Sequence, residues 1–382
     1  MLKNARLKKR WTAEFVSSKV GVSLETYRRW ESGAQHPRHT SIHTLCQIFE
    51  MSPEELGFTV TEEKENRRSR KRHIADSVLH QEQEQRPLAE ALALWTMGID
   101  SCWHLYMIGG QTELERLLPT YLAGLTQPTL KPGPEQLTAA RLMAQVYQLI
   151  ALAELQHGDF VAAQSAGTQA LVYSQLSRDW NIYIASQLRL ASIFMARKRV
   201  GSALSAYNDA LRRVNAGPDT ISPILQSWVF AGLGEIQAMM GREQDALQFL
   251  RLAVALFPSD PLSDPCYSYA RCDRSLLFLY EGLVFLHLGQ PKLAWDAFAQ
   301  VDDLRPLPPE RIRAEFLKQK TYTSCVLGNM VQSCIYLEAA ARAAQSINSE
   351  LALSEVYALY EHLLALWGSE PRVRALAQLF QQ

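Results

Sequence analysis

The feature that most constrains this chain is a pair of helical signatures that recurs between residues 140 and 345. Small and large apolar residues return at similar offsets. They stand at Gly158, Phe160, Ala163 and Ala170, then at Ala203, Tyr207 and Ala210. They return at Gly241, Ala246, Leu250, Ala253 and Pro258, and again at Gly289, Ala294, Phe298 and Pro306. A weaker copy runs through Gly328, Ser333, Leu337 and Ala340. A second apolar-periodic segment precedes each of the first four, marked by Ile150-Ala151, Leu190-Ala191, Leu233-Gly234 and Gly282. Small residues fit where two helices approach closely, and large ones fill the gaps between neighbouring pairs. The pattern predicts an all-α region of stacked helical hairpins over residues 88–382, divergent at 88–125 and 350–381.

These offsets resemble those of the tetratricopeptide repeat. The period departs from that family: the anchor alanines 163, 203, 246 and 294 are 40, 43 and 48 residues apart, against about 34 in the repeat. Helices or loops must therefore be extended, as at Ser259–Pro265. The resemblance implies an α-solenoid with a curved, concave binding surface. The alternative for the same residues is an irregular helical bundle with alanine-rich packing.

The first 58 residues follow a different plan. Gly21 can end one helix in a left-handed conformation, and Ser23 can cap the next by accepting from an N–H two or three residues on. In that second helix Tyr27 and Trp30 share the face that packs inward, while Arg28 and Arg29 leave another. Thr12 can cap the preceding helix, with Phe15, Val16 and Val20 apolar. Beyond the Pro37 loop, Ile42, Leu45, Ile48 and Phe49 recur at helical spacing, and Ser52-Pro53-Glu54-Glu55 reads as the start of a fifth helix. The run from Gly21-Val22-Ser23 to Trp30-Glu31-Ser32-Gly33 resembles the Cro/repressor-like (XRE-type) helix-turn-helix family over residues 2–57. That resemblance implies a five-helix DNA-binding bundle with an internal Arg6–Glu31 salt bridge. It sets Leu24, Glu25, Thr26, Arg28 and Arg29 toward the major groove of double-stranded DNA, and Arg38 and His39 near phosphate. The family's usual glutamine after the cap of the preceding helix is Ala13 here, which removes one expected phosphate contact.

Charge follows the same division. The formal net charge is zero, yet residues 1–57 hold nine Lys/Arg against six Asp/Glu, and residues 88–382 hold twenty-three against twenty-seven. Between them, residues 59–87 read as a polar, basic linker whose run Lys64–His73 can tether the two parts or add phosphate contacts.

Other classes find little support. No G-x-S-x-G elbow, phosphate-binding glycine loop, H-E-x-x-H pair or dinucleotide fingerprint occurs, so neither an enzyme nor a cofactor is expected. His36, His39 and His43 are scattered by Pro37 and a loop-to-helix change, so no metal set is expected. The most apolar run, Leu276–Leu288, carries Glu281 and His287 and is too short to span a bilayer. Six cysteines without C-x-x-C spacing suit a reduced, cytoplasmic protein.

A repressor-like headpiece joined to helical repeats resembles the peptide-responsive quorum-sensing regulators of Gram-positive bacteria. That resemblance implies a transcriptional regulator, a homodimer, with a peptide in the repeat groove. The inward first-helix positions are then Gln145, Gln148, Ser192, Glu235, Lys318 and Tyr322, without the asparagine ladder of those proteins. A docked partner protein and a small-molecule ligand remain the alternatives.

Overall fold

The computed structural model describes residues 1–37, 39–58 and 88–381, without the side chains of residues 39, 40 and 134. The expected basic linker and Arg38 lie outside the described residues. These divide between two compact units, one before Pro87 and one after it, and contain helices but no strand.

The first unit holds α1 (Leu2–Lys8), α2 (Ala13–Val20), α3 (Leu24–Glu31) and α4 (His39–Phe49). Its core is built from Leu2, Val16, Tyr27, Trp30, Leu45 and Phe49, with Leu56 and Phe58 closing one end. The fifth helix expected at Ser52 is a single turn. Ser52 and Glu55 do form a reciprocal cap, Ser52 N–H donating to Glu55 Oε2 (2.8 Å) and Glu55 N–H to Ser52 Oγ (3.3 Å). Gly57 then adopts φ +86° and the N–H of Phe58 returns to the carbonyl of Pro53, ending the helix as it starts. Phe15, one of the apolar positions expected in α2, is 44% exposed, its ring centroid 5.4 Å from that of Trp11.

The second unit opens with α5 (Leu88–Ile108) and α6 (Gln111–Leu130). Helical hairpins follow: α7 (Pro134–Gln156) with α8 (Phe160–Ser177), α9 (Trp180–Ala196) with α10 (Val200–Ala216), and α11 (Pro223–Met239) with α12 (Glu243–Leu256). After the short α13 (Tyr267–Ala270) come α14 (Arg274–His287) with α15 (Pro291–Ala299), α16 (Glu310–Val326) with α17 (Met330–Ser346), then α18 (Glu350–Trp367) and α19 (Pro371–Ala375).

One turn joins the helices of every hairpin. A residue at positive φ, namely Gly158, Lys198, Gly241, Gly289 or Gly328, follows the first helix. The next N–H reaches back five residues, as from Asp159 to the carbonyl of Glu154 and from Asn329 to that of Ser324. This double closure satisfies the last carbonyls of one helix and aims the chain back along it. The anchor alanines 163, 203, 246 and 294 are all fully buried in the resulting seams. At the α14–α15 seam the fit is tight: a Cβ on Gly282 would stand 2.1 Å from a ring carbon of Phe298.

The first helices of the hairpins pack side by side, in the order α7, α9, α11, α14, α16 and α18, and α18 returns to α7. The array is therefore a closed ring, not the open concave surface expected from the repeats. Contacts between residues very distant in sequence close it. Ser349 Oγ donates to Gln156 Oε1 (2.7 Å), and Arg311 Nε donates to the carbonyl of Tyr106 (2.8 Å). The extension between α12 and α14 takes part. Asp264 in it is buried and accepts from Ser222 Oγ (2.7 Å) and the Ile224 N–H (3.4 Å), placing a carboxylate at the N-terminus of α11. The loop so docked carries α13 and Arg271 onto α5, where Arg271 meets Asp100 (3.1 Å).

His157, in the α7–α8 turn, ties α6 to α18 by contacts with Glu115 and Glu350. The hydrogen bond to Glu115 is the main cause of a pKa held above the ordinary 6.5. A raised folded-state pKa contributes stability that is complete below the unfolded value and lost as pH rises through the folded one. The melting temperature should therefore fall as pH is raised from about 6.5 upward, and His157→Gln should flatten that decline. Thermal melts of both proteins across this window check it; parallel profiles would exclude the contribution.

Gly282→Ala tests the hairpin packing. A methyl group inserted against Phe298 should cost about 1–3 kcal/mol, whereas Gly201→Ala on α10, which meets nothing within 4 Å, should be neutral or stabilising. Denaturant midpoints of the two variants separate the outcomes.

Candidate DNA interface and enclosed cavity

In the first unit the turn between α2 and α3 follows its sequence closely. Gly21 sits at φ +75°, its N–H and that of Val22 bond back to Ser18 and Ser17, and Ser23 Oγ accepts from the Thr26 N–H (3.2 Å). The cap also holds the Thr26 hydroxyl at 2.8 Å. Helix α3 is fixed from beneath by Tyr27, which is fully buried, and by Trp30. Its orientation depends on Glu31, whose carboxylate accepts twice from Arg6, at 2.6 and 3.1 Å, while Arg6 Nη1 donates to the carbonyl of Trp11 (2.9 Å). This hydrogen bond to Glu31 keeps the Arg6 pKa above its ordinary value despite burial. The ion pair expected from the helix-turn-helix resemblance is therefore present, largely buried and bidentate.

Glu25, Arg28 and Arg29 are exposed on the opposite side of α3, with Leu24 and Thr26 half-buried at its N-terminal end. The arginines are not idle: Arg29 donates to Glu25 (2.6 Å) and Arg28 to Glu14 (3.2 Å). Exposed pairs of this kind are worth at most about 1 kcal/mol, so either guanidinium can exchange its carboxylate for a base edge or phosphate. Ala13, the first residue of α2, is buried and fills core space rather than reaching outward. The backbone of His39 starts α4, but its side chain and all of Arg38 lie outside the described residues.

The second unit encloses a cavity of about 710 Å³ in the lumen of the ring, a size suited to a small molecule or a short peptide segment. Ser192, Glu235, Lys318 and Tyr322, four of the inward positions expected from sequence, line it. Gln145 and Gln148 do not. Gln145 accepts from Trp103 Nε1 (3.1 Å) and Gln148 donates to Ser186 Oγ (2.9 Å), so α5 and α9 cover the face of α7 that carries them. Helix α5 thus occupies the place expected to be an open groove.

Charge in the lumen is mixed. Lys318 lies 2.8 Å from Glu315 and 2.6 Å from Glu355. Burial opposes the charge on Lys318 and Glu315, but the ion pairs prevail and hold the Lys318 pKa up and that of Glu315 down. Glu235 lies 3.8 Å from His287. The Tyr280 hydroxyl accepts from Trp228 Nε1 (3.1 Å) and neighbours the Tyr207 hydroxyl, and burial pushes both phenols well above their ordinary pKa.

Sequence reasoning missed the arginines of this wall. Arg189 Nη2 donates to the carbonyls of Tyr269 (3.2 Å) and Ala270 (3.3 Å), with its guanidinium carbon 5.2 Å from the Trp103 ring and 4.6 Å from that of Trp228. Its position was visible as a lone charge inside the apolar run Ile182–Ile193. Arg271 and Arg311 also line the cavity, and nothing local in sequence marks them.

Among known families, residues 2–56 match the helix-turn-helix family. No curated protein matches the chain. The first unit is thus a helix-turn-helix domain, which supports a DNA-binding transcriptional regulator, and no described helix is long and apolar enough to cross a membrane.

The Arg6–Glu31 pair yields a direct test. Glu31→Ala leaves a buried guanidinium without its anion and should destabilise the first unit by about 3–5 kcal/mol, abolishing its folded signal near room temperature while the second unit's unfolding transition stays in place. Differential scanning calorimetry resolves the two, and an unchanged first transition would remove the pair from its structural role.

Proposed function

We propose that the protein is a cytoplasmic, non-enzymatic transcriptional regulator whose α3 reads DNA sequence and whose ring of tetratricopeptide-like hairpins senses a ligand in its lumen. The observation that carries the first half is the capped α3 of a matched helix-turn-helix domain, with Tyr27 and Trp30 buried and Arg28 and Arg29 exposed. Glu25, Arg28 and Arg29 contact base edges in this reading, with Leu24 and Thr26 beside them at the mouth of the groove and Arg38 and His39 toward phosphate. Two headpieces from a homodimer read two half-sites, because one domain of this size makes few base contacts.

What supports the second half is the enclosed lumen with its polar and ionised lining. A ligand alters DNA affinity only as far as it binds one arrangement of the regulator better than another, typically by about 1–3 kcal/mol. A peptide, as in the quorum-sensing regulators that the architecture resembles, fits this reading. A partner protein fits less well, since the lining faces the interior of a ring of helices rather than an extended concave face.

Binding-site selection with the full chain tests the proposal. Selection should return a two-fold symmetric sequence, and Arg28→Ala with Arg29→Ala should lose about 1–3 kcal/mol per specific guanine contact and relax the preference. Unaltered affinity and consensus in the double variant would remove α3 from recognition; an asymmetric single half-site would remove the dimer.

A further inference from the structure

Helix α5 presents Asp100, Trp103 and Tyr106 at three-residue intervals, about 4.5 Å apart along its axis. Each meets one arginine from a different part of the chain. Arg271 pairs with Asp100, Arg189 lies over Trp103, and Arg311 lies over Tyr106 with its guanidinium carbon 4.1 Å from the ring. All three arginines line the lumen. Each also keeps buried N–H groups with no protein partner: Nε of Arg189, Nε of Arg271, and both Nη1 and Nη2 of Arg311.

Their only carboxylate among these contacts is Asp100, whose side chain is half exposed. Three guanidinium charges cannot be shed by deprotonation, and buried cations with unpaired donors are costly unless an anion meets them. Arginine forks match carboxylate and phosphate geometry equally well. The rest of the lumen decides between these two anions. Glu235, Glu315 and Glu355 line the same cavity together with Leu152, Leu276 and Ile312. A polyanion would be repelled by those acids far more strongly than an apolar body with one carboxylate.

We infer that the lumen binds a ligand with an apolar body and a single carboxylate, which the Arg189, Arg271 and Arg311 ladder receives. The free donors lie just beneath the wall, so the guanidinium groups of Arg271 and Arg311 turn toward the lumen as the carboxylate enters. Arg189, held by two carbonyls and two indoles, stays in place and supplies fixed charge. The assignment rests on the sensory reading above and names its ligand chemistry.

The test uses the full chain in thermal-shift and calorimetric titrations with paired probes at millimolar concentration: the dipeptide Leu-Leu against its C-terminal amide, and octanoate against octanamide. A shift by Leu-Leu alone assigns the carboxylate to a peptide end, and a shift by octanoate to a small organic acid. Either acid must bind at least tenfold tighter than its amide. Equal binding of acid and amide, or no binding by either acid, overturns the inference. Arg311→Met, which removes the unpaired donors together with the ring-closing hydrogen bond to Tyr106, should lower the unliganded melting temperature and weaken acid binding at least tenfold in the protein that remains folded; Arg271→Met provides the same readout should that variant not fold. Wild-type acid affinity in both variants overturns the inference as well. The sensory reading fails separately: an acid that binds but leaves DNA affinity unchanged removes sensing and keeps the carboxylate site.

Discussion

A guanidinium between two indoles is the contact on which the ring unit depends. Arg189 comes from α9, Trp103 from α5, Trp228 from α11, and the carbonyls that hold its Nη2 from α13. Parts of the chain that are not consecutive hairpins therefore converge on one side chain. Burial lowers the Arg189 pKa from its ordinary value, yet arginine stays charged. Cation–π contact with two rings and two carbonyl acceptors offsets part of that desolvation. An apolar side chain here would fill space without fixing the directions of Tyr269 and Ala270, and so of Arg271 beside them.

The headpiece solves a smaller problem with the same chemistry. A domain of fewer than sixty residues buries too little surface for a large stability margin, so one well-made ion pair weighs heavily in it. Arg6 and Glu31 join the ends of α1 and α3, and the carbonyl of Trp11 fixes the third direction of the fork. The arginines of α3 are spent differently. Their carboxylate partners are exposed and weakly held, which keeps the charges soluble and available. One residue type thus fixes shape where it is buried and stays available to an incoming partner where it is exposed, and its environment decides which.

Local signals account for what was legible in the sequence. Helix caps, left-handed glycines and buried alanines act within a few residues, so Ser23, Gly158 and the anchor alanines could be placed from spacing alone. The same logic failed at Ser52, where a genuine cap was followed too soon by Gly57 for a helix to grow. Ring closure was illegible for a stronger reason. It rests on pairs such as Arg311 with Tyr106 and Arg271 with Asp100, separated by 205 and 171 residues, which no period relates. The candidate site inherited both outcomes: Ser192, Glu235, Lys318 and Tyr322 lay on the periodic inner face, whereas Gln145 and Gln148 lost theirs to α5.

The thiols narrow what such a ring can respond to. All six cysteines are free. Cys102, Cys266, Cys272, Cys325 and Cys334 are buried, and burial raises each pKa, to about 11 for Cys102 and Cys266. Reactive thiols need a lowered pKa and access to solvent. Cys46 in the headpiece is only partly buried, and there too desolvation raises the pKa. A thiol switch would first require the core to open, at a cost comparable to unfolding the hairpins that hold these residues. A ligand carboxylate that meets guanidinium groups whose own N–H donors are unpaired would require only local side-chain rotation. Under the proposed sensory reading, the wall of the lumen, and not a thiol, is therefore the route by which a signal would enter.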